Sequence, residues 1–187
     1  MSVMPRCLAS LFTALLLMGP ATGEESAHEH GDITPTASGE LPGFAPIWEI
    51  PSLAEQGALS PLAKDVDAVL QTYAAGMAAR DIDAVSRQFV NTADFVAFES
   101  GYQNFGWDDY RASHLEAEFR QFDAPIRFEI RLLEVAGGEE MAYAAYAYRA
   151  RAQMPGGEVG LDGLGTAVLA KVNADWRILH LHTSMRR

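Results

Sequence analysis

The chain has 187 residues, with 14 basic against 25 acidic side chains and a net charge of −11. That balance repels phosphate backbones and anionic lipid, so nucleic acid and membrane surfaces are excluded as natural partners. The single cysteine, Cys7, precedes an apolar run and leaves with it, which removes disulfides, thiolate catalysis and cysteine–metal sites from the mature chain.

Residues 1–23 read as a secretory signal peptide. Arg6 supplies a positive start, and Leu8 to Met18 is apolar but too short to span a bilayer as a helix. Gly19-Pro20 breaks the run, and Ala21-Thr22-Gly23 offers a small-residue cleavage site. A periplasmic or secreted location follows, with no membrane attachment after cleavage. Residues 24–59 then form a flexible acidic arm. Glu24, Glu25, Glu29 and Asp32 surround His28 and His30, and Pro35, Pro42, Pro46 and Pro51 recur with Gly39 and Gly43. No helical or strand period survives that spacing. His28-Glu29-His30 is either a weak copper or nickel tract or a solvated linker. Phe44, Ile47 and Trp48 are the residues able to pin the second half of the arm to a domain surface.

A single domain is expected over residues 60–187. Ser60 is an N-cap and Pro61 the first helical residue. Leu62, Val66, Val69, Leu70, Tyr73 and Met77 then recur as one apolar stripe. Asp81 caps a second helix with Ile82, Val85 and Phe89 on one side, ending near Asn91. Ala93 to Phe98 reads as a strand and Glu99 to Gly106 as a loop. A third helix runs from about Asp108 to Phe122, and Tyr110, His114 and Glu118 line up along one of its faces.

Strands follow. Ile126, Phe128, Ile130 and Leu132 alternate with Arg127, Glu129 and Arg131, and then Leu133 and Val135 take over the apolar phase. That slip of one residue predicts a β-bulge. Gly137-Gly138 makes a hairpin turn. Met141–Ala152, Leu164–Val172 and Trp176–Met185 are three further strands, with turns at 154–157 and 173–175. Helices placed ahead of an antiparallel meander predict an α+β layout. In the last strand, strict alternation puts Trp176, Ile178, His180, His182 and Ser184 on one face.

The order of these elements resembles the SnoaL-like branch of the nuclear transport factor 2-like (cystatin-like) superfamily, and in particular an exported bacterial subgroup. The resemblance covers about residues 60–185. It is carried by Gly138 with Ala142, by Gly163-Leu164-Gly165-Thr166-Ala167-Val168-Leu169, by Trp176-Arg177-Ile178 leading into His180-Leu181-His182-Thr183-Ser184, and by Gly106-Trp107-Asp108-Asp109-Tyr110-Arg111 with His114-Leu115 and Glu118. It implies a curved antiparallel sheet forming a cone packed against three N-terminal helices, a small-molecule pocket inside, and a homodimer formed through the sheet. The isomerase branch uses a carboxylate base with buried tyrosine and acid donors, and that constellation has no matching positions here beyond Asp94 and Tyr143.

Three functional classes stay open. The first is an exported pocket domain that binds a small molecule or acts on it, the reaction being unassigned. Its polar centre is His114, Glu118 and His180 as catalytic candidates, with His114 as general base oriented by Glu118. Trp107, Tyr110, Tyr143, Arg149, His182 and Ser184 would line the ligand. Arg149 suits an acidic one, or else pairs with carboxylates on an exposed sheet face together with Arg151. The second is a metal-binding protein or metal-dependent enzyme in which His114, His180 and His182 hold zinc, copper or iron. The third is a homo-oligomeric assembly module.

Overall fold

The computed structural model describes residues 46–120, 126–154 and 157–185. The expected signal peptide, the expected arm up to residue 45 and its His28-Glu29-His30 tract lie outside the described residues. Helix α1 is Pro61–Ala79 and α2 is Ile82–Ser86. The expected caps are both made: Ser60 Oγ accepts from Ala63 N, and Asp81 Oδ1 accepts from Ala84 N. Helix α2 stops well before Asn91 because the backbone after it turns to the sheet. Val90 N donates to Ile178 O, and Ile178 N donates to Gln88 O.

Strand β1, Val96–Glu99, overlaps the strand expected over 93–98, and it forms a hairpin with strand β2, Tyr102–Phe105, which lies where a loop was expected. Ser100 and Gly101 turn it with positive φ of 53° and 90°. The third helix, α3, covers residues 107–119 in three pieces: a first turn Trp107–Asp109, a π-helical stretch Tyr110–Leu115, and a last turn Glu116–Phe119. Strands β3 (Arg127–Gly137), β4 (Met141–Met154), β5 (Gly157–Val172) and β6 (Asp175–Met185) complete the chain.

The six strands make one curved, unclosed sheet in the order β2-β1-β6-β5-β4-β3. All pairings are antiparallel except β1 with β6, which is parallel. The α+β cone is as expected, although α3 follows the first hairpin rather than preceding all strands. Among the described residues the inner face meets α1, α2 and α3 in one core, built on Val66, Leu70, Val85, Phe95, Leu169, Ile178 and Leu181, all fully buried.

Two bulges decide which side chains face that core. The first falls in β3 between Leu132 and Glu134, where the sequence pattern slips. The second falls in β6. Ile178 pairs with Leu169 but His180 pairs with Val168, so Leu179 is an extra residue. Trp176 and Ile178 are buried before it, and Leu181 and Thr183 after it. The one-residue insertion flips the strand, and every side chain beyond it faces the other way from strict alternation.

Residues 46–59 are docked rather than free. The Trp48 ring lies 4.4 Å from the Arg149 guanidinium and 5.2 Å from that of Arg131. Arg131 also bonds to Trp48 O and Glu55, and Leu53 N donates to Leu132 O at 2.8 Å. The arm thus passes from the outer sheet face around the β3 edge to α1.

Candidate functional site

The inner face carries a row of directly paired residues, Glu99, Thr183, Gly165, Tyr146 and Leu132, running across β1, β6, β5, β4 and β3. Glu99 closes the row at one end, and α3 lays His114 and Glu118 against it. His114 Nε2 lies 3.0 Å from Glu99 Oε2 and 3.4 Å from Glu118 Oε1. Their exposures are 8 % for His114 and 4 % for each glutamate. The π-helical stretch sets His114 on the Tyr110 ring, with centroids 5.0 Å apart at 29°. Such widened turns often mark functional positions.

Phenols surround this triad. Tyr110, Tyr146 and Tyr148 are fully buried, and Tyr73 of α1 is nearly so. The two glycines of the Gly163-Leu164-Gly165 run make room for two of them. A Cβ on Gly165 would stand 2.2 Å from Tyr146 Cζ, and one on Gly163 would stand 2.4 Å from Tyr148 Cζ. The rings therefore lie flat over bare backbone. Tyr148 Oη donates to Ser184 O at 3.4 Å. Tyr110 Oη, Tyr146 Oη, Thr183 Oγ1 and also Glu99 Oε2 are buried without a hydrogen bond of good geometry, the His114–Glu99 contact being an ion pair. Buried polar groups ordinarily find partners, so these are poised to receive one.

The electrostatics follow from burial and from one excess negative charge. Burial alone would depress the His114 pKa, but the charge of Glu99 and hydrogen bonds to Glu118 and Glu99 outweigh it and raise the pKa well above the ordinary value. His114 is therefore an imidazolium at neutral pH. Burial, and after it the charge of Glu99, pushes the phenols of Tyr73, Tyr110 and Tyr146 well above the usual tyrosine range. They stay protonated and can donate a hydrogen bond, Tyr110 having both Glu99 and Tyr73 within reach.

The other sequence candidates lie elsewhere. The β6 bulge turns His180, His182 and Ser184 to the outer face, opposite His114. His180 Nδ1 is 2.9 Å from Val96 O, and both imidazoles edge onto the ring of Phe98, itself 40 % exposed. His182 and Ser184 line an outer groove of about 320 Å³ with Ile50, Leu133 and Leu164. The expected His114–His180–His182 metal set is therefore not assembled, and no group of three or more His, Cys, Asp or Glu among the described residues is arranged to hold a metal ion. Arg149 is also on the outer face, sharing Asp162 with Arg151, so it does not offer an acidic ligand a site inside the cone. Tyr143 is exposed there and donates to Glu134 Oε1 at 2.6 Å. Trp107 is core, packed with Phe89, Phe95 and Tyr110. Of the expected residues, the structure brings together Tyr110, His114 and Glu118. Sequence reasoning missed Glu99, read as loop, and the phenol of Tyr73, read as part of the apolar stripe; alternation sets Tyr146 and Tyr148 on the face opposite Tyr143, Arg149 and Arg151, and it is that face, not the one with the arginines, that turns inward. The available signal was Gly163 and Gly165 standing across the sheet from Tyr148 and Tyr146.

The cone is shared with solved structures. A nuclear transport factor 2 (NTF2-like) superfamily protein from Salmonella enterica is 16% identical with a TM-score of 0.61, covering 66% of this chain and 90% of that one. A candidate dehydratase of the NTF2-like family from Streptomyces avermitilis is 15% identical with a TM-score of 0.58, covering 65% and 94%. A candidate ketosteroid isomerase from Shewanella frigidimarina is 18% identical with a TM-score of 0.51, covering 63% and 92%. These likenesses define the class, the NTF2-like fold. Residues 66–187 match the SnoaL-like domain, and the chain belongs to that family. No curated protein sequence matches it.

Proposed function

We propose that the mature chain is an exported, enzyme-like domain that moves a proton on a small, neutral, largely apolar carbonyl compound. The observation that carries this reading is the buried triad: one imidazolium against two carboxylates, ringed by protonated phenols. Glu99 Oε2 lies 3.0 Å and Glu118 Oε1 3.4 Å from His114 Nε2; Glu118, on the same helix as His114, is assigned as the base and Glu99 as the carboxylate that faces the imidazolium from the hairpin. His114 is already protonated and so serves as acid, which reverses the roles expected from spacing alone. Glu118 takes a proton from the carbon beside the carbonyl. The electron pair passes to the carbonyl oxygen, which Tyr110 or Tyr146 receives with its O–H. Return of the proton to another carbon completes an isomerisation. Departure of a β-hydroxyl with the His114 proton completes a dehydration. The net negative charge of the triad disfavours carboxylate-bearing substrates. That the fold neighbours include a candidate isomerase and a candidate dehydratase agrees with this class.

The test follows exchange rather than a chosen product. Neutral cyclic and aromatic ketones are incubated with the protein in D₂O, and loss of their α-protons is followed by ¹H NMR. Exchange should run at least about a hundredfold faster with the wild type than with Glu118→Gln, the low end for a general base. Loss of water from a β-hydroxy ketone should need His114 as well, failing in His114→Gln and as pH rises through the raised His114 pKa. Ketones that bind, seen as a raised Tm, without exchanging would make the domain a binding module.

A second reading, self-association, is favoured by the outer face. Phe98, Phe105 and Leu164 are 40, 65 and 41 % exposed on it, with His180, His182 and Thr166 between them and no carboxylate in that strip. Aromatic enrichment with charge depletion is the composition of an interface core. Light scattering of the mature chain and of Phe105→Glu tests it. A wild-type monomer at micromolar concentration would dismiss this reading.

A further inference from the structure

Glu99 and His114 belong to different elements, the β1–β2 hairpin and α3, and one hydrogen-bonded hub joins those elements. Asn104, on the inner side of β2 and 8 % exposed, donates from Nδ2 to Asp109 Oδ2 and to Ser113 Oγ, both at 2.9 Å. Phe105 N donates to the same Asp109 oxygen at 3.2 Å. Ser113 Oγ in turn donates to Asp109, its one proton shared between the carbonyl O at 2.6 Å and Oδ1 at 3.0 Å. Asp109 ends the first turn of α3, and Ser113 lies in the π-helical stretch that carries His114. A serine bonding back to the carbonyl four residues earlier is a known way to distort a helix.

We propose that Asp109, with Asn104 and Ser113, forms a positioning clamp that fixes the separation and alignment of Glu99 and His114. The proposal rests on the acid–base reading of that pair for its functional meaning, but its geometry is independent of any substrate. Asp109 collects donors from the hairpin side chain, the hairpin backbone and its own helix, so a shift of α3 along the hairpin must break several bonds at once. Asp109 is not itself in the site. Burial works against its ionisation, but the bonds from Asn104, Ser113 and Phe105, with the nearby His114, hold its carboxyl below the usual range, so the hub is anionic at neutral pH. The charged and titratable groups facing the imidazolium are then Glu99 from the hairpin and Glu118, Asp109 and Tyr110 from α3, while Tyr73 from α1 and Tyr146 from β4 face Glu99.

The readout is the His114 Nε2–H proton, observed by ¹⁵N-edited NMR of the ligand-free protein. A proton donated to a buried carboxylate resonates far downfield and exchanges slowly. Asn104→Ala and Asp109→Asn should each move that resonance upfield and speed its exchange roughly tenfold, the scale of one lost charge-assisted hydrogen bond. Ser113→Ala should act in the same direction. Arg111→Ala, which breaks the exposed Arg111–Glu116 pair on the same helix, should leave the resonance in place. If Asn104→Ala and Asp109→Asn keep the resonance unmoved, the clamp does not position His114. If both lose the backbone fold together with the resonance, the hub is a support for folding and the positioning role fails. A moved resonance with no carbonyl exchange in the wild type would keep the clamp and discard the catalytic reading.

Discussion

Replacing His114 by alanine isolates the charge balance of the triad. The imidazolium lies 3.0 and 3.4 Å from two glutamate oxygens, and all three residues are buried. Its removal leaves two carboxylates facing each other with no cation between them. Breaking a buried pair by deleting one partner costs about 3–5 kcal/mol, a large part of the roughly 5–15 kcal/mol that holds a domain folded. The corresponding fall in Tm is roughly 10–20 °C for a domain of this size. The pH dependence fixes the sign. His114 has a folded pKa raised above its unfolded value, so its contribution is fully present below about pH 6.5 and disappears as pH rises through the folded pKa. The variant lacks that contribution at every pH, so the deficit should be largest below about pH 6.5 and should shrink as pH rises through the folded His114 pKa. Urea denaturation at about pH 6 and at alkaline pH measures it. A deficit under about 1 kcal/mol at pH 6, the size of an exposed pair, or one that does not change between pH 6 and alkaline pH, refutes a charged buried triad.

Gly165→Ala should destabilise by about 1–3 kcal/mol, because the new methyl meets the Tyr146 ring and the core has to shift. Gly138→Ala, whose methyl meets nothing, should stay within about 0.5 kcal/mol, and equal effects by thermal denaturation would dismiss the ring-over-glycine account. Trp48→Ala removes the two guanidinium contacts, worth about 0.5–1 kcal/mol each. Hydrogen exchange should then show the Leu53 amide losing protection while the β4–β5 ladder keeps its own. Ser60→Ala should cost about 1 kcal/mol through the lost N-cap, and an unchanged urea midpoint would argue that the first turn of α1 is held by the docked arm instead.

Local signals were legible wherever the chemistry is local. Ser60-Pro61 and Asp81 announce helix starts because capping needs only the next three residues. The β3 bulge is visible because the apolar phase itself slips at Leu132-Leu133. The β6 bulge left no such trace. Its extra residue, Leu179, is apolar and stands between apolar Ile178 and a histidine, so the pattern passes for unbroken alternation. What fixes it is the partner strand, where Val168 and Leu169 take His180 and Ile178 in turn. Glu99 was hidden for a related reason. A carboxylate beside Ser100-Gly101 has the composition of a turn, and only the pairing of β1 with β6 carries it inside. Arg149 and Tyr143 were misplaced less by pattern than by charge: the alternation correctly separates them from Tyr146 and Tyr148, and the inner face belongs to the phenols.

The flip in β6 also explains how one strand serves two unlike surfaces. Before the bulge, Trp176 and Ile178 are core. After it, Leu181 and Thr183 continue the inner face, and Thr183 stands directly between Glu99 and Gly165. Were Leu179 an ordinary rung of the ladder, His180 and His182 would take those positions. Two more imidazoles beside His114 would then share the same two carboxylates, and a site with one excess negative charge would become neutral or positive on protonation. The insertion instead sends them to the outer face beside Phe98 and leaves His114 as the imidazole facing Glu99 and Glu118. Deleting Leu179 should therefore keep this arrangement: Ile178 stays opposite Leu169 and His180 opposite Val168, the bulge becomes a regular ladder, and His180 and His182 stay on the outer face. A deletion variant that folds but whose His114 resonance is lost or strongly shifted would contradict this account of the bulge.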